Sequence, residues 1–338
     1  MSTQRTNESI SSWQEGDSVS GFALLTKKER RQDRNGRDFI DLRLADSSGS
    51  INGKIWGDSP ALDGEFESHD FVAFKGLVKS YRERLQLTVQ NCRAVNDDDR
   101  QRGFDESRLI PSTRESIDTL WSRLEAVYSS EIQDPFLQQL AADALAEHGE
   151  VLREHPAAKT IHHAYRGGLL EHVVSMAELA LALCHHYSEL DADLVLLGVL
   201  FHDLGKIHEI GPMPVNDYTT EGRLVGHVVI GRDLLRERCA AIEDFPEAVR
   251  IHLEHLVLSH QGLREYGSPV EPMTGEALLL HTIDNLDAKL AQLRQAALEG
   301  SGFQFLRGFG RYILVGDREP EGEDSGESPD SPEQLELS

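Results

Sequence analysis

The chain has 338 residues, 39% hydrophobic and 27% charged, which is typical of a globular protein and long enough for two domains with separate cores. Its formal net charge of −24 argues against a nucleic-acid-binding protein with an evenly basic surface. The acid is unevenly distributed, because the segment 317–338 holds nine acidic residues and one arginine. The global charge therefore says little about the surface of the folded part.

Both ends of the chain are predicted to be disordered. Residues 316–338 are rich in Pro, Gly, Ser and acid and poor in apolar residues, which is the composition of segments that cannot build a core. Residues 1–15 are predicted to be disordered as well. The folded part is therefore expected between residues 16 and 315.

Sequence signals for export, membrane insertion and disulfides are missing. The first ten residues do not place an apolar run after a basic region, so no secretory signal is predicted. The most apolar stretch, Leu194 to Phe201, has eight residues, whereas a helix that spans a bilayer needs about 20. The cysteines Cys92, Cys184 and Cys239 are widely spaced and form no Cys-x-x-Cys pair. These features favour a cytoplasmic protein without disulfides or thiolate metal sites.

Residues 16–96 have the pattern of a small β-barrel. Short runs of strand character are separated by turn residues, and the Asn35-Gly36 pair within the polar segment 27–37 is a strong hairpin signal. Five such runs within about eighty residues indicate a closed or partly closed barrel. The runs are 21–25, 39–44, 51–56, 71–78 and 85–89.

Alternation along two of these strands predicts a nucleic-acid-binding face. If the even-numbered residues of 39–44 point into the core, Phe39 and Arg43 lie on the outer face. By the same rule Lys54 and Trp56 point outward from the next strand. Exposed rings beside cations suit single-stranded nucleic acid, because bases stack on rings and cations meet phosphates. The alternative is that Phe39 and Trp56 only pack against the second domain.

A polar connector is predicted over 97–111, and after it the hydrophobic period changes to that of helices. Ser112, with Glu115 three residues later, has the spacing of a capping box and predicts a helix start. The fold class is therefore multidomain, a small β-barrel followed by an all-α domain over 112–315. Further helices are predicted over 135–148, 169–187, 191–203, 226–241, 246–260 and 274–298, with strand-like sequence at about 303–315.

The adjacent pair His202-Asp203 at the end of the apolar run is the strongest functional signal. Burying an imidazole and a carboxylate without a partner costs free energy, so a ligand such as a metal cation is expected beside them. Other histidines and an aspartate lie in segments predicted to be helical, and helical bundles commonly build metal sites from inward-facing side chains. These residues are His172, His227, His255, His260 and Asp284.

This set of ligands indicates a divalent metal and phosphate chemistry. Imidazole-rich sites without thiolate suit Mn, Fe, Co or Zn better than Mg, which prefers oxygen ligands and keeps its waters. One or two such ions, with manganese preferred, would activate water and hold phosphate oxygens. Lys206, three residues after Asp203, is placed to meet phosphate charge as a point cation. His202, Asp203 and Lys206 are the predicted catalytic residues.

The order H…HD…H…H…D resembles that of the HD superfamily of metal-dependent phosphohydrolases. The sequences HHAYRGGLLEH, LFHDLGKIHEI, EHLVLSHQG and HTIDNLDAKL, with NGRDFIDLRLADSSGSINGKIW in the barrel, are similar to those of YhaM-type 3′→5′ exoribonucleases. This resemblance runs from about residue 16 to 315 and implies an N-terminal OB-fold joined to a C-terminal HD domain. It also implies that one metal is bound by His172, His202, Asp203 and Asp284, and that a second site is completed by His227 and by one or both of His255 and His260.

One position departs from the family pattern. The family usually reads Ser-His-His-Gly where this chain has Ser259-His260-Gln261-Gly262, and a glutamine is a poor replacement for an imidazole ligand. The spacing of the two nearby histidines adds a condition. His255 and His260 are offset by about 140° on an ideal helix, so both can be ligands only if the helix ends or bends near Ser259.

The predicted reaction is hydrolysis of the terminal phosphodiester of single-stranded RNA, or of DNA. The hydrolytic class follows from the ligands, whereas the 3′→5′ direction, the RNA preference and the release of nucleoside 5′-monophosphates are implied by the resemblance. His162 and His163 are candidates for substrate contact, and a homo-oligomer is a further candidate state. Two alternatives are a phosphohydrolase of small nucleotides and a nucleic-acid-binding protein with an inactive HD domain.

Overall fold

The computed structural model describes residues 4–33, 35–57, 59–81, 84–110, 112–159 and 165–316. His162 and His163, the predicted substrate contacts, and the acidic segment 317–338 lie outside the described residues. The chain divides into two compact units, Met1–Asp287 and Ala288–Ser338. The first unit contains two separate hydrophobic cores, one in a β-barrel and one in a helical domain.

Five strands of the described chain close into the barrel that the sequence predicts. Their order around the barrel is β2-β3-β4-β6-β5, and β5 pairs with β2 to complete the circle. Strands β4 and β6 run parallel, and the other neighbours run antiparallel. A five-stranded barrel of this kind is the OB architecture. The strands are β1 (Gln4–Thr6), β2 (Ser18–Gln32), β3 (Asp38–Asp46), β4 (Gly49–Trp56), β5 (Phe71–Tyr81) and β6 (Arg84–Ala94).

The core of the barrel confirms the predicted alternation. Ile40, Leu42 and Leu44 of β3 are buried, as are Ile51 and Ile55 of β4. Since side chains alternate between the two faces of a strand, the odd-numbered residues of β3 and the even-numbered residues of β4 lie on the outside of the barrel. This register places the residues of the predicted nucleic-acid-binding face next to one another.

The polar segment 27–37 is mostly strand. β2 continues to Gln32, because the backbone from Lys27 to Gln32 pairs with β3 in spite of its polar side chains. The hairpin turn is therefore shorter than the segment suggests. Gly36 has a positive φ of 76°, which supports the hairpin predicted from Asn35-Gly36.

The prediction of disorder for the first 15 residues is wrong for the described residues 4–15. Strand β1 pairs with the start of β2 in parallel. Ile10 and Trp13 are buried in the barrel core, and the ring of Trp13 lies 5.7 Å from that of Phe74. The strand pairing and these two apolar residues attach the segment to the barrel.

The connector after the barrel is ordered against it. Phe104 packs edge-on against Phe22 and Phe71, with ring centroids 5.5 Å away in both cases. Asp99 is fully buried and accepts hydrogen bonds from the guanidinium of Arg93 at 2.6 and 2.7 Å. The described part of segment 97–111 therefore extends the barrel.

The helical domain is built around α4. Residues 193–201 of this helix are all buried, as expected for a run that is apolar on every face. The helices of the described chain are α1 (Ile117–Ser130), α2 (Pro135–Glu154), α3 (Gly168–His186), α4 (Ala192–Phe201), α5 (Lys206–Glu209), α6 (Thr220–Leu224), α7 (His227–Ala241), α8 (Glu247–Ser259) and α9 (Gly275–Glu299).

The predicted capping box at Ser112 is wrong. α1 begins at Ile117, and the hydroxyl of Ser116 caps it by accepting a hydrogen bond from the backbone N–H of Thr119 at 3.1 Å. Glu115 instead pairs with Arg123 of α1. The serine four residues later was therefore the true cap.

Helix α3 is long and apolar enough to span a membrane by length and composition. However, 56% of its most apolar window is buried inside the protein. It packs against α1 and α4. Since the core helix of a folded domain passes the same test, this feature is weak evidence for a membrane span.

The second unit contains the end of α9 and a two-stranded antiparallel hairpin of β7 (Gly302–Leu306) and β8 (Arg311–Val315). The amide of Gln304 donates hydrogen bonds to the carbonyl oxygens of Ala296 and Gly300. These bonds attach the hairpin to the end of the helix. The strand-like sequence at 303–315 is thus confirmed as strand except at Arg307–Phe309, which form a 3₁₀ turn between the two strands.

Candidate metal centre

The apolar helix α4 carries His202 and Asp203 into the interior of the domain. His202 is fully buried and Asp203 is 2% exposed. His202 follows the last residue of α4, where helix carbonyls lack helical partners, and its Nδ1 lies 2.8 Å from the carbonyl oxygen of Val199. This hydrogen bond fixes the ring and leaves Nε2 facing the other ligands.

Gly205 allows helix α7 to approach the His202-Asp203 turn. A Cβ atom at this position would lie 2.1 Å from the carbonyl oxygen of His227 and 2.6 Å from the backbone nitrogen of Gly231. A larger residue would therefore push α7 away. The glycine after the His-Asp pair is thus needed to bring His227 to the centre.

Four side chains form the group that we call site A, namely His172, His202, Asp203 and Asp284. His172 Nε2 lies 3.3 Å from His202 Nε2, 3.4 Å from Asp284 Oδ1 and 3.7 Å from Asp203 Oδ2. His202 Nε2 lies 3.4 Å from Asp203 Oδ2. Helices α3 and α9 and the end of α4 thus bring together the four residues predicted to share one ion.

Three side chains form a second group that we call site B, namely Asp203, His227 and His260. Asp203 Oδ1 lies 3.5 Å from His227 Nε2 and 3.9 Å from His260 Nε2. Helix α8 ends at Ser259, so His260 lies just past the helix and can turn inward. Sites A and B share one carboxylate, with one oxygen facing each group.

The four imidazoles of the two sites are all oriented in the same way. In each ring Nδ1 lies within hydrogen-bond distance of an acceptor outside the two sites. These acceptors are the Asp287 carboxylate for His172 (2.8 Å), the Val199 carbonyl for His202 (2.8 Å), the Glu209 carboxylate for His227 (2.9 Å) and the Val257 carbonyl for His260 (2.6 Å). With Nδ1–H donating, the neutral form of each imidazole presents its Nε2 lone pair to the site, which is how metal-binding histidines are held.

Site A fits a divalent cation. His172 Nε2 and His202 Nε2 lie 3.3 Å apart, and two lone pairs at this distance repel unless a proton or a metal ion lies beside them. The ligand atoms of His172, His202 and Asp203 lie within 4.8 Å of one another, and Asp284 adds a second carboxylate. Two imidazoles and two carboxylates are a suitable donor set for a transition-metal ion.

The charges of site A favour a cation as well. Burial opposes protonation of His172, but its hydrogen bonds to Asp284 and Asp287 outweigh this and raise the pKa to about 9. Burial also disfavours the ionised form of Asp284, yet the hydrogen bond to His172 and the charge of His202 lower its pKa to about 2. The carboxylates therefore stay ionised and attract positive charge.

Lys206 contacts the centre through Asp203. Its Nζ lies 2.6 Å from Asp203 Oδ2, and 15% of its side chain is exposed. Burial opposes the charge on Lys206, but Asp203 outweighs it and raises the pKa of the ammonium group. Lys206 is therefore charged at the edge of site A, where it neutralises part of the carboxylate charge.

His255 does not join either site. Its Nε2 accepts a hydrogen bond from the backbone N–H of Met273 at 2.9 Å. His255 lies within α8, where its direction is offset from that of His260 by about 140° on an ideal helix. His260 lies just past the end of the helix, and the two histidines therefore face different surroundings. The prediction that His255 binds metal therefore receives no support, whereas His260 lies in site B.

Two carboxylates outside sites A and B accept hydrogen bonds from histidines of these sites and hold their rings in place. Glu209 Oε1 accepts hydrogen bonds from both the backbone nitrogen and Nδ1 of His227, at 3.0 and 2.9 Å. Asp287 accepts from Nδ1 of His172 and from the hydroxyl of Ser175 at 2.6 Å. The available signal for Asp287 was its spacing, because a residue three positions after Asp284 lies on the same helix face.

The four residues of the predicted nucleic-acid-binding face lie together on β3 and β4, with one correction. Trp56 is 38% exposed, but Phe39 is only 9% exposed because the two rings pack 5.4 Å apart and Lys54 covers them. Lys54 Nζ lies 4.7 Å from the Phe39 centroid and 5.2 Å from that of Trp56, which are cation–π distances. Arg43 is exposed on the same face and donates to the hydroxyl of Ser50.

Protein-family models match both parts of the chain. An OB-fold nucleic acid binding domain matches residues 23–95, and an HD domain matches residues 169–289. A helicase family model matches residues 110–193. The two Gly-Lys pairs of the chain, at 53–54 and 205–206, are both followed by isoleucine, so the Gly-Lys-Ser/Thr ending of a helicase phosphate-binding loop is missing.

A curated relative matches most of the chain. The 3′-5′ exoribonuclease YhaM of Shouchella clausii (strain KSM-K16) is 36% identical over 282 residues, which are 83% of this chain and 86% of that protein. The match therefore extends over most of both chains.

Solved structures resemble one part of the chain. The second OB-fold domain of replication protein A from Methanococcus maripaludis is 24% identical and covers 27% of this chain and 96% of its own, with a TM-score of 0.23. An OB domain from Thermoplasma acidophilum is 16% identical and covers 28% of this chain and 89% of its own, with a TM-score of 0.22. At these values the likeness adds nothing to the family matches.

Proposed function

Because the chain belongs to the family of YhaM 3′-5′ exoribonucleases, we propose that it shortens single-stranded RNA from the 3′ end and releases nucleoside 5′-monophosphates. It is a metal-dependent phosphohydrolase by its HD domain and carries an OB-fold nucleic-acid-binding domain. The observation that carries the proposal is the convergence of His172, His202, Asp203 and Asp284 in site A.

The proposed catalytic residues act by holding charge in fixed positions. A divalent cation held by the site A residues would supply an activated water and neutralise phosphate charge. His202 and Asp203 hold their ligand atoms without freedom to rotate, since both side chains are buried and hydrogen-bonded. Lys206 keeps its charge beside Asp203 and offers its remaining donors to a phosphate oxygen at the exposed edge. Fixed dipoles and charges of this kind stabilise a transition state without reorganisation.

The proposed role of the barrel is to hold the strand that is being degraded. Trp56 offers its exposed face to a base, and Phe39 supports that ring from beneath. Lys54 and Arg43 lie on the same face and provide charge for the phosphates. Base stacking on aromatic rings tolerates any sequence, which suits an exonuclease.

The remaining details are proposals that rest on the ligand chemistry and on the family. Manganese is the proposed metal, and Fe, Co, Zn and Mg are the alternatives. Imidazole-rich ligand sets suit Mn, Fe, Co and Zn better than they suit Mg. His162 and His163 remain proposed substrate contacts. A cytoplasmic location is proposed as well, and the free, buried cysteines support it. Homo-oligomer formation stays a prediction that light scattering of the purified protein tests.

The test uses a single-stranded RNA labelled at its 5′ end. The protein is stripped of metal, reloaded with manganese and incubated beside the double variant His202→Ala/Asp203→Ala. We expect a ladder of labelled products that shortens step by step, with unlabelled nucleoside 5′-monophosphates released and with intact RNA in the variant. Parallel reactions with DNA of the same sequence measure the preference for RNA.

Three outcomes would contradict the proposal. Immediate release of a labelled mononucleotide would show attack from the 5′ end. Internal fragments without a ladder would show an endonuclease. Hydrolysis of a small phosphodiester with no attack on RNA or DNA would establish a phosphohydrolase of small nucleotides.

A further inference from the structure

Site B differs from site A because a neutral side chain already lies against its ligands. The side-chain amide nitrogen of Gln261 lies 2.9 Å from His260 Nε2 and 3.4 Å from His227 Nε2. These are the two imidazole nitrogens that a metal ion in site B would need. At site A, His172 Nε2 and His202 Nε2 lie 3.3 Å from each other.

The hydrogen-bond roles in site B follow from its surroundings. Nδ1 of His260 points at the Val257 carbonyl, and Nδ1 of His227 points at the Glu209 carboxylate, so both Nδ1 atoms carry the proton. Both Nε2 atoms are therefore acceptors. The amide of Gln261 has two N–H groups and can donate one to each ring. A glutamine thus satisfies both histidines without any cation.

Site A also offers a cation more negative charge than site B does. Site A has the carboxylates of Asp203 and Asp284 beside its imidazoles, at 3.4 to 3.7 Å from His172 or His202. In the part of the chain that the structure describes, site B has one oxygen of Asp203, at 3.5 Å from His227 and 3.9 Å from His260. The other oxygen of Asp203 faces site A and Lys206. Site B therefore offers a divalent cation less negative charge.

From these contacts we infer that Gln261 occupies site B and that each chain holds one divalent metal ion, in site A. His227 and His260 then line the side of the centre that the second oxygen of Asp203 faces, with the Gln261 amide donating to both rings. This inference rests on the metal dependence in the proposed function and not on its substrate. The number of bound ions is therefore measured separately from the attack on RNA.

The test counts metal ions in the full-length protein. The stripped protein is incubated with excess manganese, freed of unbound metal by gel filtration, and analysed for metal per chain by mass spectrometry. We expect about one ion per chain in the native protein. In Gln261→His, a third imidazole replaces the amide, and we expect the content to rise to about two ions per chain.

Matched variants separate site B from other effects. Gln139→His adds a histidine at an exposed position of α2 and should keep one ion. Asp284→Asn removes a carboxylate of site A alone and should lower the content of the native protein toward zero. Thermal unfolding shows whether each variant is folded before its metal is counted.

Two results would overturn the inference. A content of two ions per chain in the native protein would do so whatever the variants show. A folded Gln261→His variant that still holds one ion would show that the amide is not what closes site B. If the native protein holds one ion but leaves RNA intact, the inference stands and the proposed exoribonuclease function fails.

Discussion

The metal centre and the aromatic face of the barrel contrast in how their side chains are held. His172, His202 and Asp203 are buried and bound to partners behind them, so their ligand atoms have one orientation. Trp56 is held mainly by stacking and keeps its outer face open. Chemistry at a phosphate needs fixed charges, whereas binding of a flexible strand needs accessible surface. Substitutions should therefore abolish function at the centre and reduce it by degrees on the barrel.

Asp203→Asn should have the largest effect. Its carboxylate is shared by sites A and B and carries the charge that Lys206 balances. We expect RNA hydrolysis to fall to background and bound metal to be lost, with RNA binding to the barrel retained. The rate of product release, metal content and RNA affinity are measured together. Asp233→Asn, which changes an exposed aspartate, is the control and should behave like the native protein.

Asp287→Ala should have the next largest effect. It removes the acceptor that orients His172, and loss of such a supporting partner typically costs about 10- to 100-fold in metal affinity or activity. Ser175→Ala removes a neighbour of Asp287 but leaves the Asp287–His172 hydrogen bond, so its effect should be smaller. Manganese titrations of both variants measure the difference. Equal metal affinity in Asp287→Ala and the native protein would show that His172 needs no partner.

Trp56→Ala should weaken RNA binding without changing the metal. Loss of one stacked base costs about 1–3 kcal/mol, and we expect the lower end because Phe39 remains. Fluorescence anisotropy with labelled RNA measures the affinity, and metal analysis checks the centre. Tyr187→Ala changes an exposed ring at the far end of α3 and is the matched control. An unchanged affinity in Trp56→Ala would mean that the strand does not use this face.

Lys54→Gln should have the smallest effect on RNA affinity at any single salt concentration. It should, however, change how steeply the affinity falls with salt. Each phosphate contact with a single strand contributes a slope of about −0.7 to the plot of log affinity against log salt. Loss of the Lys54 charge should therefore make the slope shallower by about 0.7. Affinities measured over a series of salt concentrations give this slope. An identical slope would show that Lys54 only covers the rings of Phe39 and Trp56.

Much of the metal centre could be predicted from the sequence because its residues lie at fixed points of strongly patterned helices. The apolar run of α4 ends at His202, and Asp284 lies on a long amphipathic helix. The predictions that failed or were missing depend on the three-dimensional arrangement of the helices. His255 and His260 lie five positions apart, and only the end of α8 decides which of them turns inward. The roles of Asp287 and Gln261 depend on contacts between helices, which periodicity does not reveal.

In the barrel, too, the sequence predicted some features correctly and could not predict others. Alternation predicted the inward residues of β3 and β4 correctly, because one face of each strand is buried. It could not predict that Phe39, on the outer face, would be covered by Trp56 and Lys54 across the strand pair. Nor could composition show that Ile10 and Trp13 anchor the polar start of the chain in the barrel core.

The most direct test of the central claim is the dependence of RNA hydrolysis on metal bound at the His202-Asp203 centre. Stripped protein is titrated with manganese while the rate of nucleoside 5′-monophosphate release and the bound metal are both recorded. We predict that the rate is zero without metal, rises in proportion to bound metal and stays zero in His202→Ala/Asp203→Ala. Hydrolysis by the stripped protein in the presence of a chelator, or by the double variant, would contradict the account.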